Sequence, residues 1–188
     1  MDNRQHLLDC ALMLLSQRGY DAVGVQEVAK AAGVTKPTLY HYFGSKRGLL
    51  ESLLKQEAGE LVSVIFAAAA YHGDLVLTLE NIARAYFQLA QEATSYYRMQ
   101  MTMFISPPES EANQAVQPYM RQQVEILEDV FLKAAADHGN LKGRHQRNAA
   151  VFQGEINALI GLFLNNRLDL TGETVYQLVH QFMHGIFS

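Results

Sequence analysis

The sequence predicts an all-α protein of about nine helices. Apolar residues recur at helical spacing along nearly the whole chain of 188 residues. No stretch alternates apolar and polar residues as a half-buried strand does. The breaks between helical stripes carry glycine, proline or a helix-capping residue.

The first stripe is Leu7, Leu8, Ala11, Leu14 and Leu15, and it stops at Gly19, a residue suited to a left-handed C-terminal cap. A second helix spans about 25–32 and a third about 36–43. Gly44-Ser45 reads as a stop followed by a new N-cap, and it opens a long helix through Leu49, Leu50, Leu53 and Leu54. His72-Gly73-Asp74 interrupts the chain, and about 75–92 is helical again. Residues 95–105, SYYRMQMTMFI, are apolar on nearly every side and are expected to be buried. SPPESE, 106–111, is a loop, because consecutive prolines do not continue a helix. One long helix follows over about 112–137, with the stripe Val116, Met120, Val124, Leu127, Phe131 and Ala134. A glycine-containing connection, 138–144, leads to two last helices, about 146–166 and 172–187.

Composition narrows the function classes. The chain is 49% hydrophobic and 18% charged, as an ordered globular protein is. Its single cysteine, Cys10, forms no intramolecular disulfide framework, fits a reducing cytoplasm, and reads as a small buried apolar residue. The N-terminus opens MDNRQH, so no secretory leader is expected, and no apolar run is long enough for a membrane span. The net charge of −4 is unevenly placed. Residues 1–55 hold seven Lys and Arg against five Asp and Glu, a net +2, which leaves −6 for the remainder. A basic head on an acidic body is compatible with a polyanionic partner. There is no P-loop, nucleophile elbow, Cys/His ligand set or paired catalytic carboxylates, so no enzyme and no cofactor are expected. His180 and His184 share a helix face, but no carboxylate or cysteine accompanies them locally, and no metal site is expected.

The segment VQEVAKAAGVTKPTLYHYF, 25–43, has the layout of a helix-turn-helix. Ala29 is small enough for a close crossing, Gly33 suits the turn, and Leu39 anchors the second helix, with Val28, Val34 and Phe43 filling in. Thr35 is an N-cap, and Pro37 falls in the first turn, where a missing N–H costs nothing. The second helix of such a unit enters the major groove by its N-terminal end.

GVTKPTLYHYFGSKRGLL, within the matching stretch 3–55, resembles the signature of the TetR family of bacterial repressors. The resemblance implies a three-helix, homeodomain-like DNA-binding domain over 1–45 and a helical effector-binding and dimerisation domain over 46–188. It implies a cytoplasmic homodimer on a double-stranded operator, released by an unidentified small-molecule effector. A DNA-binding dimer without an effector, controlled by a protein partner, is the alternative. By position, Lys36, Pro37, Thr38 and Tyr40 match residues that meet base edges, with His41 beside them and Gln26 in reach from the preceding helix. Thr35, Tyr42 and Lys46 match phosphate contacts. Gly24 stands where the family usually has Ser or Thr, so a side-chain phosphate contact is lost there. In the body, Tyr86, Met99, Met103, Tyr119 and Gln123 are the expected ligand residues, mixing apolar walls with polar handles. Gly154, Ala158 and Gly161 form a small-residue face that, with Phe182 and Ile186, is expected at the dimer interface.

Overall fold

The computed structural model describes residues 2–185; the expectation for Ile186 lies outside them. Among these residues the chain forms nine α-helices, one 3-10 turn and no strand, as expected. The helices are α1 (Asn3–Arg18), α2 (Val25–Ala31), α3 (Lys36–Phe43), α4 (Lys46–Ala68), α5 (Leu75–Glu92), α6 (Thr94–Phe104), α7 (Glu111–Asp137), α8 (His145–Leu164) and α9 (Gly172–His184). The 3-10 turn, Gly139–Leu141, lies in the connection before α8. No helix among the described residues is long and apolar enough to cross a membrane.

The chain folds into two compact units, each assembled from two separate stretches. The first comprises Met1–Glu60 and Ala93–Met120. Its core is built from Leu7, Leu8, Ala11 and Leu15 of α1, Val28 and Ala29 of α2, Leu39 and Phe43 of α3, and Leu49, Leu50, Leu53 and Leu54 of α4, all buried. α1 packs along α6, which contributes Tyr96, Tyr97, Met99 and Met103. Cys10 is buried here as a free thiol. Gly19 ends α1 by donating its N–H to the Leu15 carbonyl (2.9 Å). Its φ of 79° is positive as expected, but its ψ of 164° is extended rather than left-handed helical. The expectation that 95–105 is buried nearly all round is corrected. α6 has one buried face, and Phe104 and Ile105 stand 41% and 81% exposed where the helix runs out into the proline loop.

The second unit comprises Leu61–Glu92 and Arg121–Ser188. α5 sends Leu79, Ile82, Ala83, Tyr86, Phe87 and Ala90 into its core, packing against α8 and α9. Leu127, Val130, Phe131 and Ala134 of α7, Phe152, Ile156 and Ile160 of α8, and Val175, Leu178 and Val179 of α9 complete it. α9 opens with a reciprocal cap in which Thr171 and Thr174 bond each other's backbone and side chain. α7 is continuous through Pro118, whose ring leaves one helical hydrogen bond unmade.

Candidate nucleic-acid interface

The turn between α2 and α3 is held by the backbone. Val34 N–H donates to the Ala29 carbonyl (3.0 Å) and Gly33 N–H to that of Lys30 (3.1 Å). Gly33 sits at φ 66°, a left-handed conformation that costs a residue without Cβ nothing. Ala29 is fully buried at the crossing, and Val28 beside it is almost so. Arg18 at the end of α1 pairs with Glu27 of α2 and donates to the Ala22 carbonyl (3.0 Å), tying the two helices together.

α3 starts as its sequence prescribes. The Thr35 hydroxyl oxygen accepts from Thr38 N–H (3.3 Å) and shares a hydrogen bond with the Thr38 hydroxyl (2.8 Å), while Pro37 occupies the first turn. Leu39 and Phe43 are buried; Lys36, Pro37, Tyr40, His41 and Tyr42 are exposed, and Thr38 is half-buried. Two aromatic rings thus stand in solvent where an ordinary helical hairpin would bury them. Tyr40 lies under the Lys36 ammonium (5.5 Å to the ring centroid), and His41 and Tyr42 meet edge to face at 5.6 Å. Gln26 is exposed on α2. Gly24 caps α2 without a side-chain bond, its carbonyl accepting from Glu27 and Val28 N–H.

The junction from α3 to α4 is tight. Gly44 N–H donates to Tyr40 (2.8 Å), and Ser45 Oγ accepts from Gly48 N–H (2.9 Å), which makes Ser45 the expected cap. A Cβ at Gly48 would fall on the Phe43 carbonyl oxygen, so this position needs glycine. Lys46 is the first residue of α4, where unpaired N–H groups and the helix dipole favour an anion. Its ammonium lies 4.1 Å from the centre of the Tyr20 ring, a neighbour that motif spacing alone did not reveal.

In the second unit the structure brings Tyr86 and Gln123 together. The Tyr86 hydroxyl donates to Gln153 Oε1 (2.8 Å), with Gln123 Oε1 at 3.2 Å, and all three side chains are buried. Gln153 was missed by sequence reasoning, although a glutamine on the apolar stripe of α8 is the kind of signal that marks a buried polar site. Met99, Met103 and Tyr119 belong to the first unit, the two methionines in its core and Tyr119 half-buried. Cavities open on the second unit. One of about 750 Å³ is lined by Phe66, Tyr71, Gln122, Ile126 and Lys133 among others, and one of about 520 Å³ by Phe131, Arg144, Arg147 and Phe182 among others. None of the five expected ligand residues lines either.

On α8, Gly154 and Ala158 are exposed and Gly161 is half-buried. Phe182 packs its ring within the protomer, 4.9 Å from Phe152 and 5.8 Å from Phe131.

Residues 7–53 match the family described as bacterial regulatory proteins, tetR family. The transcriptional activator FasR of Mycolicibacterium smegmatis is 29% identical over 136 residues, which cover 72% of this chain and 58% of FasR. The fold matches FadR from Bacillus subtilis, solved in complex with stearoyl-CoA, at a TM-score of 0.81 and 20% identity over 97% of this chain and 98% of that one. It also matches AibR, solved with isovaleryl coenzyme A and operator DNA, at 0.75 and 21% over 96% and 97%. An N-terminal helix-turn-helix with a solvent-facing second helix thus matches the TetR family over residues 7–53, on an all-helical fold of the kind these regulators have.

Proposed function

We propose that the protein is a homodimeric repressor whose head, 1–45, binds an operator and whose body, 46–188, takes up a small, largely apolar effector that releases it. The observation that carries the reading is the exposed face of α3, where Lys36, Pro37, Tyr40, His41 and Tyr42 stand in solvent over the buried pair Leu39 and Phe43. Gln26, Lys36, Pro37, Thr38, Tyr40 and His41 read bases, while Thr35, Tyr42 and Lys46 bind phosphate and set the register. The protein acts where the operator lies, in the cytoplasm, as a regulator and not as an enzyme.

The body reading draws on the buried polar group of Tyr86, Gln123 and Gln153, which supplies handles inside an apolar core. Met99, Met103 and Tyr119 remain part of the proposed ligand set. Because FadR and AibR were solved with acyl-CoA molecules, acyl thioesters are the first effector class to try. The small-residue face of α8, Gly154, Ala158 and Gly161, is the proposed dimer contact, together with Phe182.

The test is equilibrium binding to duplex DNA over a range of salt. Lys46→Ala removes a charged phosphate contact, so it weakens binding to every sequence and lowers the slope of log affinity against log salt by about 1, and Tyr42→Ala, which removes a neutral contact, weakens binding to every sequence. Wild-type affinity in both variants refutes the assignment of the head.

A further inference from the structure

Lys46 is not left to wander in solvent. Tyr20, in the segment after α1, is 5% exposed and presents its ring to the Lys46 ammonium at 4.1 Å. The same tyrosine donates its hydroxyl proton to Oε2 of Glu111 (2.7 Å). Glu111 is the first residue of α7, and all three residues belong to the first compact unit. The arrangement separates two charges that would otherwise seek each other. A cation over an aromatic face keeps its three N–H donors for another acceptor, whereas an ion pair with a carboxylate would use them. A hydrogen bond to an ionised carboxylate is short and strong, and it holds Glu111 at the hydroxyl edge of the ring.

We propose that Tyr20 is a positioning residue for DNA binding: its ring parks the Lys46 ammonium for phosphate, and its hydroxyl keeps the Glu111 carboxylate from taking that ammonium. The inference rests on the reading of Lys46 as a phosphate ligand. It makes the first turn of α7 a control point. When Glu111 is drawn from Tyr20, its carboxylate is free to pair with Lys46, and the phosphate contact is lost.

The test uses the full chain and a duplex selected from a random pool by the wild-type protein, titrated from about 50 to 200 mM salt, a range over which one phosphate contact changes affinity about 3-fold. Tyr20→Phe keeps the ring and removes the hydroxyl. It is expected to lower the salt slope by about 1 and to weaken binding by about 3- to 10-fold at the lower salt. Adding Glu111→Gln to Tyr20→Phe restores both, because the competing charge is gone. Glu111→Asp, at an exposed position, shortens the arm and breaks the same hydrogen bond without touching the core, so it lowers the slope as Tyr20→Phe does. A wild-type slope in Tyr20→Phe and Glu111→Asp, beside a reduced slope in Lys46→Ala, overturns the proposal and leaves the phosphate reading standing. An unchanged slope in Lys46→Ala overturns both. Failure of Glu111→Gln to rescue Tyr20→Phe overturns the proposal alone.

Discussion

Gly48 admits no side chain, and the reason lies in its neighbour rather than in its own dihedrals. The Phe43 carbonyl at the end of the proposed recognition helix closes over the first turn of α4. Gly48→Ala forces that carbonyl or the start of α4 to move. Overpacking of this kind typically costs about 1–3 kcal/mol, so a circular-dichroism melt is expected to show a Tm several degrees below wild type. DNA affinity falls with it, since Lys46 stands two residues earlier. A wild-type Tm means that the junction relaxes freely. The exposed face of α3 was legible in the sequence because its chemistry is local: a capping threonine, a proline in the first turn, and tyrosines in register with two apolar anchors. Gly48, Tyr20 and Gln153 were not, because what defines each is a partner. For Tyr20 that partner is Glu111, 91 residues further along the chain.

At the scale of elements, periodicity located every helix, and the errors fell at ends and faces. α6 shows why. Its tyrosines and methionines pack as expected, but Phe104 and Ile105 lie off its buried face and project into solvent. Hydrophobicity predicts burial only when a neighbour is there to provide it. α7 shows the converse. A proline at 118 argues against one unbroken helix, and yet the helix continues, because packing on both sides outweighs one lost hydrogen bond. Pro118 is exposed, so Pro118→Ala restores an N–H donor toward the Gln114 carbonyl without disturbing the core. It is expected to stabilise the protein by about 1–3 kcal/mol in urea unfolding. A loss of stability instead means that α7 depends on a bend at this point.

For the whole molecule the open question is what covers α8. A Cβ built on Gly154 meets nothing within 4 Å, and Ala158 is exposed, so the protomer's own packing does not require small residues at either position. A closely packed helix of the proposed second subunit would. Ala158→Glu leaves the protomer's core untouched and places a charge on that face. By light scattering the variant is expected to be a monomer, and in the DNA titration to lose operator binding. A dimeric Ala158→Glu moves the interface elsewhere. The proposed division into two domains at residue 45 is read from the motif, whereas the compact units follow packing. Sequence periodicity carries no record of which helices pack together, so the interleaving of the two units had no signature in it.

That interleaving has a consequence for anyone who wishes to transplant the head. Its helix α1 is buried against α6, which the chain supplies only after an intervening excursion through residues 61–92. A scissor cut after residue 45 or 60 therefore takes α2 and α3 but strands the apolar side of α1 facing water. A regulator with exchanged specificity is better made by rewriting the handful of exposed side chains on α2 and α3 in place. The surface of this head is modular, and its polypeptide is not.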